Sequence, residues 1–528
     1  MRTGISNRLR GGADFYITPS NTLTAAILLA NDNQLNTTHV NYSDYWFSEG
    51  GEVDPGNDPP DDQLAYYTRR TDVEEEDEID IEFSLNYEKK FTKKDHKFTA
   101  YTHYIRDAET EKSNISQTVE SFNIANTSLV ASPQEKVLNE ESETNFLLQA
   151  DYVYPFGDQG MFEAGYRSEF RTINNPYYVD SETESGYWER LAEYSNNFEY
   201  VENIHGLYVQ AGNGFGKFST QAGLRIEASD VRTYLHETDS ANERLYFDFF
   251  PSLHTSFQFS PVHSAQLSYS RRIHRPHFWF LNPFYSYTDP RNFRSGNPNL
   301  DPEYTHSVEL GYLFKQAKFD FYTGIYYRYT TDVMQRVSEV DETTGITVVA
   351  PQNLDNGQSF GFETNASLNL VSWWTLSGDF NFYRYILEGN YDGEDLSSDD
   401  YSWNTRFNSK FKLPYDIDAQ VIFFYRAPRE TAQGIREEFY MMNAAVSKDI
   451  FKGKGTLTFN VRDVLNSRKF SYILDQETLY SLNEWHRSQR RYNLTLIYRL
   501  NQNKRMGRNG GNNGGNGNNG LGGDEMGF

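Results

Sequence analysis

The chain has 528 residues, no cysteine and a formal net charge of −25. This charge argues against nucleic-acid binding, because phosphate contacts need a basic face. The absence of thiols excludes disulfides, thiolate metal sites and cysteine nucleophiles. The longest apolar run, residues 22–30, is far shorter than the roughly 20 residues that a membrane-spanning helix needs.

The first elements along the chain are polar. The opening residues, MRTGISNRLRGG, have no apolar core and do not form a signal peptide. A first strand is predicted at 8–17. Two acidic stretches, 54–62 and 74–78, are interpreted as solvated loops, and divalent-cation binding is the minor alternative because neither spacing matches a calcium loop.

Apolar and polar residues alternate in many segments from the first strand to about residue 500. Clear examples are 319–329, 374–382, 456–462 and 492–500, where nearly every second residue is apolar or aromatic (Thr323 is the exception in the first). A period of two indicates β-strands. About 19 such strands are predicted.

The predicted connections alternate between short and long. Gly, Pro, Asn and Asp mark the tight turns, which are predicted near 18–21, 91–96, 155–160, 212–216, 259–263, 314–318, 371–374, 413–416 and 450–454. The long polar connections are predicted at 32–78, 107–142, 173–198, 229–244, 276–302, 331–356, 388–399, 427–437 and 466–486.

This sorting of connections is typical of an antiparallel up-and-down β-barrel that crosses an outer membrane, with short turns in the periplasm and long loops outside. Aromatic residues make up 16% of the chain, and Tyr and Trp suit the membrane–water boundary. A soluble, tyrosine-rich β protein is the alternative. It would have no reason to separate short from long connections.

The parity of the strands leads to a further expectation. With turns in the periplasm, the last strand descends to the periplasm and the first strand starts outside. Bacterial single-chain barrels have an even number of strands, so we expect an N-terminally truncated barrel at 1–500. Residues 501–528, rich in Gly and Asn, are expected to be a disordered tail.

A proline-rich stretch at 268–312 carries the most specific sequence motif. Another motif is NVRDVLN at 460–466. The motif residues in the first stretch are Arg275, Pro276, Asn282, Pro283, Asp289, Pro290, Gly296, Asn297, Pro298, Leu300, Pro302 and Glu303.

These motifs resemble those of TonB-dependent outer-membrane receptors, specifically the β-barrel family typical of Bacteroidetes. The resemblance implies a 22-strand barrel around a plug domain that imports a scarce ligand, such as a siderophore, an oligosaccharide or a peptide. It also implies outer-membrane lipid, lipopolysaccharide and the barrel assembly machinery as partners. Contact with the TonB complex would run only through a plug that is not in this sequence.

The prolines of this stretch cannot donate to a β-ladder, so they break the sheet between strands that end near 275 and start near 303. The favoured interpretation is a rigid extracellular loop folded over the barrel mouth for stability. The alternative is direct ligand contact through four aromatic residues, Phe278, Trp279, Phe284 and Tyr285.

No other motif supports catalysis, a cofactor or a metal site. His274 and His277 lie three apart, but neither a helix nor a matching partner strand is evident for a paired-histidine site. We therefore expect no enzyme. The alternative function is a passive outer-membrane pore or a surface-adhesion barrel without energy coupling.

Overall fold

A computed structural model describes residues 2–45, 64–123, 126–283, 287, 289, 291–340, 346–475, 480–485 and 490–500. Within these ranges it has 28 β-strands, one α-helix and two 3₁₀ turns. The strands are β1 (Arg2–Thr18), β2 (Asn21–Tyr45), β3 (Leu64–Lys90), β4 (Lys97–Asn123), β5 (Asn126–Ala131), β6 (Glu135–Phe156), β7 (Gly160–Glu182), β8 (Trp188–Arg190), β9 (Asn196–Phe215), β10 (Phe218–Leu235), β11 (Ser240–Ser260), β12 (His263–His274), β13 (Asn292–Arg294), β14 (Glu303–Gln316), β15 (Phe319–Val340), β16 (Thr347–Val371), β17 (Trp374–Glu388), β18 (Asn390–Tyr391), β19 (Glu394–Asp395), β20 (Ser398–Leu413), β21 (Ile417–Arg426), β22 (Arg429–Thr431), β23 (Gly434–Arg436), β24 (Phe439–Ile450), β25 (Gly455–Arg462), β26 (Phe470–Asp475), β27 (Tyr480–Trp485) and β28 (Arg491–Tyr498). The helix α1 is Phe278–Leu281, and the 3₁₀ turns are Ala192–Tyr194 and Phe451–Gly453.

One antiparallel wall dominates the fold. Nine of the 28 strands are short pieces in the connections (β5, β8, β13, β18, β19, β22, β23, β26 and β27). The other 19 form the wall, in which each strand except the first and the last pairs with the wall strands before and after it along the chain. The predicted up-and-down topology and strand number are confirmed. Among the described residues, β1 pairs only with β2 and β28 only with β25.

The tight turns gather at one end of the wall, here called the turn end, and the long connections at the other, the loop end. All nine predicted turn positions are confirmed to within a few residues. The turn predicted near 212–216 is shifted along the chain. Gly212 and Gly214 belong to β9, and the reversal falls at Gly216, whose φ of 63° lies in the left-handed region that glycine adopts without strain.

Many strands are longer than the sequence pattern indicated. β3 and β4 have 27 residues each, whereas roughly 9–11 residues cross a bilayer. The acidic run at 74–78, predicted as a loop, lies inside β3. Both faces of the wall meet polar surroundings there, so no apolar alternation marks the strand. The stretch 54–62 and the tail 501–528 lie outside the described residues, so the division at 500 stays a prediction.

The two faces of the wall differ in the part nearer the turn end. Outward side chains form an exposed apolar belt, and Ile325 in β15 is 60% exposed. Neighbours in this belt include Phe83, Tyr104, Phe146, Phe170, Leu207, Val308, Leu310 and Phe362. Inward positions on the same strands are polar, such as Asp379 and Asn381 in β17. This is the pattern of a wall with lipid outside and a polar interior.

Candidate functional site

The segment between β12 and β14 spans residues 275–302, and its described residues (275–283, 287, 289 and 291–302) fold into the interior of the wall at the loop end. We call it the mouth segment. It contains α1 and β13. Its prolines interrupt the ladder between β12 and β14, which otherwise pair directly from His263 to His274.

Both chain ends of the mouth segment are tied to neighbouring strands, Arg275 to β10 and Asp301 to β11. Arg275 donates to Glu227 at 2.6 Å and to the Ser229 hydroxyl at 2.7 Å. Near the return to β14, Arg244 forms an ion pair with Asp301. The Arg275 contacts are charge-assisted and partly buried, which makes them stronger than surface ion pairs such as Arg244–Asp301.

The middle of the mouth segment reaches strands β6 and β7. The amide of Asn282 donates to Asn175 at 3.0 Å. The backbone N–H of Tyr287 donates to the Tyr177 hydroxyl at 2.9 Å, and the Tyr287 hydroxyl donates to Glu135 at 2.9 Å. Every one of these partners lies on the inner face of the wall, so this part of the segment lies within the loop-end rim.

Residues 289–294, here called the far end of the mouth segment, reach β2 and β16. Arg291 forms a bidentate ion pair with Asp44, with N–O distances of 2.5 and 2.9 Å. The Tyr42 hydroxyl donates to Asp289 at 2.5 Å. In addition, β13 pairs in parallel with β16. A segment that touches β2, β7, β10 and β16 is possible only because the wall curls round it.

Apolar packing fixes the same arrangement. Leu281 and Leu300 of the mouth segment join a buried cluster with residues of β7, β9, β10 and β15. Tyr287 joins a second cluster with Ile115, Val137 and Val179. The fit against β9–β11 is close, since the cavity at that interface is about 20 Å³.

Gly296 is required by this packing. A Cβ at this position would collide with the backbone oxygens of Asn282 and Phe280. The Gly296 N–H donates to the Asn282 carbonyl at 2.8 Å, so the two chain segments touch directly. The glycine of the sequence motif therefore has a packing role.

The predicted motif residues gather in one structure. The residues that hold the mouth segment in place through bonds or packing are Arg275, Asn282, Asp289, Gly296, Asn297 and Leu300. Glu303, the first residue of β14, accepts a hydrogen bond from the Met334 N–H of β15 at 2.7 Å. Pro276, Pro298 and Pro302 line its interface with β9–β11, and the Pro283 carbonyl accepts a hydrogen bond from Ser295. Pro290, Phe284 and Tyr285 lie outside the described residues.

The two remaining predicted ligand contacts have different surroundings. Phe278 packs against the buried cluster around Leu281. Trp279 stacks on His277, with ring centroids 5.5 Å apart, and the Arg336 guanidinium lies 5.6 Å from its ring. Trp279 is only partly buried. Ligand contact through these residues remains a prediction.

Sequence reasoning missed an acidic band on the inner face of β3, β4 and β6, on the loop-end side of the apolar belt. Glu78, Glu109 and Glu141 occupy directly paired positions on the three strands. Burial, followed by the charges of Glu111, Glu76 and Glu141, raises the pKa of Glu109 to about 8. Burial and Glu143 raise the pKa of Glu141 to about 7. Only the strand register brings these carboxyls together.

Within the described part of the chain, one group of side chains could hold a metal ion. Glu74, Glu76 and Glu111 each place a carboxylate oxygen within 4.8 Å of the others. Each of them already accepts a hydrogen bond from an amide, donated by Asn36, Gln34 and Asn139 respectively. The trio is therefore satisfied by the wall itself.

A larger cavity lies lower on the inner wall. Its volume is about 370 Å³, and Asp320, Asp379 and Arg406 line it together with Tyr322 and Asn365. It lies at the level of the apolar belt. Mixed charges and amides of this kind are typical of a hydrated lumen. Among the described residues, no helix is both long enough and apolar enough to cross a membrane.

Comparisons with known proteins agree on the architecture. A family model described as the outer membrane protein beta-barrel family matches residues 89–498. No curated protein matches the sequence.

Solved structures of similar fold have low sequence identity to this chain. The ferric yersiniabactin uptake receptor FyuA from Yersinia pestis is 10% identical, with 94% of this chain and 78% of that chain covered and a TM-score of 0.50. The copper transporter OprC is 10% identical, with coverages of 94% and 80% and a TM-score of 0.52. FpvA from P. aeruginosa, solved with pyoverdine–Fe complexes, is 10% identical, with coverages of 94% and 71% and a TM-score of 0.53. These identities show a shared fold.

Proposed function

The chain belongs to the outer membrane protein beta-barrel family and resides in the outer membrane of a Gram-negative bacterium, and from that premise we propose that it is the barrel of a TonB-dependent receptor that imports a scarce ligand. The ligand would be of the siderophore, oligosaccharide or peptide class. Similar folds are named as a ferric yersiniabactin uptake receptor and a copper transporter.

The observation that carries this proposal is the mouth segment. It is tied to β10 at one end through Arg275 and to β2 at the other through Arg291. A segment inside the lumen narrows it and presents a shaped surface at the extracellular end, as a receptor needs. A segment anchored across the lumen supports the receptor.

Within that surface, Phe278 and Trp279 are proposed ligand contacts. Trp279 is partly buried, with His277 on one side and Arg336 nearby. An aromatic ring next to a cation offers both an apolar face and a charged partner to a ligand. Proposed partners are outer-membrane lipid, lipopolysaccharide, the barrel assembly machinery and, through a plug domain, the TonB complex.

An uptake assay tests the proposal. Cells that express the full-length protein are given labelled ferric siderophores, oligosaccharides or peptides. Import of at least one class should stop when an uncoupler collapses the proton-motive force, while surface binding at 4 °C should persist. Entry that continues undiminished with the uncoupler would identify a passive pore. Cell aggregation without any import would identify an adhesion barrel.

A further inference from the structure

Three arginines meet on the inner face of the wall near the loop end. Arg426 ends β21, and Arg429 and Arg436 lie on β22 and β23, which form a short hairpin that we call the inner hairpin, residues 429–436. In the ladder, Arg426 on β21 is the partner of Asn404 on β20, which is the partner of Asn381 on β17. These positions share the inward, polar face of β17 and β20.

The inner hairpin is held against the wall. The Gln433 side chain at its tip accepts from the Ser338 N–H at 2.7 Å and donates to the Ser338 carbonyl at 3.0 Å. Ala432 packs on a buried cluster that includes Val337 and Leu387. The Arg429 guanidinium lies 4.5 Å from the centroid of the Tyr385 ring on β17. The arginines therefore lie between the hairpin and the wall.

No carboxylate of the described residues forms an ion pair with any of the three. Arg429 and Arg436 are directly opposite each other in the hairpin, an arrangement in which like charges are destabilising. The Nε atoms of all three guanidinium groups, and Nη2 of Arg436, are buried without a hydrogen-bond acceptor. Burial, then the charge of Arg429, lowers the pKa of Arg436.

Three other buried or partly buried arginines among the described residues are neutralised by a carboxylate. Arg70 pairs with Glu135 at 2.8 Å, Arg171 with Glu143 at 2.6 Å and Arg275 with Glu227 at 2.6 Å. Arg426, Arg429 and Arg436 are partly buried and have no such partner among the described carboxylates, although the sequence has 74 acidic residues. An unpaired buried cation is costly.

We propose that Arg426, Arg429 and Arg436 form a binding site for an anionic ligand that carries carboxylate or phosphate oxygens. Guanidinium groups are planar forks that match such oxyanions. The Tyr383 hydroxyl, which lies close to Arg436, adds a polar group to the same place. The Arg429 guanidinium makes a cation–π contact with the ring of Tyr385.

This proposal specifies that the ligand of the proposed receptor is an anion, and it therefore rests on the proposed function. The inward position of Arg426 gives access from the lumen and not from the lipid. A soluble anion is therefore the expected occupant, and the phosphates of lipid A are the other possible source of the same chemistry.

Isothermal titration calorimetry of the purified, detergent-solubilised full-length protein tests the site apart from transport. The probes are citrate and inorganic phosphate, with an uncharged maltooligosaccharide for comparison and lipid A in the same micelles as a separate arm. We expect saturable binding of citrate or phosphate. The double variant Arg429→Gln/Arg436→Gln should bind at least about tenfold more weakly, since two charge-assisted contacts are lost.

The matched control is Arg232→Gln, an exposed arginine already paired with Asp230 and Glu243, and it should bind like the unaltered protein. A thermal unfolding series guards against misfolding. The bound anion should raise the unfolding temperature of the unaltered protein. Without anion, Arg436→Gln alone should unfold at the same or a higher temperature.

Three results would overturn the proposal. One is the absence of saturable binding by citrate and phosphate, and another is undiminished binding in the double variant. The third is binding only in the lipid A arm, which would identify a lipid contact. Saturable binding in a protein that fails the uptake test would reject the transport function and keep the site.

Discussion

At the scale of single residues, the acidic band makes the stability of the wall depend on pH. The pKa of Glu109 is raised to about 8 and that of Glu141 to about 7, because burial and neighbouring carboxylates disfavour ionisation. In the unfolded chain a glutamate titrates near its ordinary pKa of 4.5. Between these values the folded protein holds more protons than the unfolded chain does.

The free energy of unfolding should therefore fall as the pH rises from about 4.5 to about 8. The variant Glu109→Gln should flatten this dependence, because the amide cannot ionise. Thermal unfolding followed by circular dichroism at pH 5, 6, 7 and 8 measures the effect. Glu189→Gln, at an exposed position outside the band, is the control and should follow the unaltered protein. Equal slopes in both variants would reject this origin of the pH dependence.

A second residue-scale prediction concerns Gly296. In the variant Gly296→Ala the new methyl group meets backbone oxygens that cannot rotate away. We expect a loss of about 1–3 kcal/mol in the free energy of unfolding, the usual cost of overpacking. Chemical denaturation of the refolded protein measures it. Gly11→Ala is the control, because a Cβ there meets nothing within 4 Å. Similar midpoints for the two variants would contradict the packing role.

At the scale of elements, the mouth segment should open when its far end is released. The variant Arg291→Gln removes the bidentate pair with Asp44. A partly exposed pair of this kind contributes about 1 kcal/mol, so the far end should be released about fivefold more often. Limited proteolysis within 275–302, together with single-channel conductance in planar bilayers, should both increase.

The control for this element is Arg190→Gln, which breaks an equally short pair with Asp180 on β7 and β8. It leaves the mouth segment untouched and should change neither measurement. An unaltered rate of proteolysis in Arg291→Gln would mean that β13 and the tyrosine contacts hold the segment without the ion pair.

The elements also show what sequence reasoning could reach. The turns and the alternating halves of the strands were predictable, because lipid on one face imposes a period of two. The loop-end halves of β3 and β4 were not, since both of their faces are polar and the acidic run at 74–78 looked like a loop.

The candidate site was likewise predictable only in part. The prolines at 276, 283, 298 and 302 marked the break in the ladder, and the motif identified the mouth segment. Its crossing of the lumen depends on partners such as Asp44 and Tyr177, which lie more than 100 positions away along the chain. The arginine cluster depends on the pairing of β22 with β23 and on the approach of β17. No local pattern encodes either contact.

At the scale of the whole molecule, the two faces of the wall should respond oppositely to charge. In Ile325→Arg a guanidinium would face lipid within the apolar belt, at a cost of about 2–4 kcal/mol near the membrane midplane. Asn365→Arg places the same group on the inner face, beside Asp379, and should be tolerated. The fraction that refolds into lipid vesicles, read from heat-modifiable migration on gels, measures both. Equal loss in the two variants would contradict the assignment of faces.

The mouth segment has a mechanical consequence for the whole structure. A cylinder of hydrogen-bonded strands is stiff along its strands but can flatten in cross-section. Because this segment contacts β2, β10 and β16 at separate points of the rim, it braces the opening across its width. The length of the mouth segment then fixes the width of the entrance. The rim could become oval only if contacts of this segment with the wall broke.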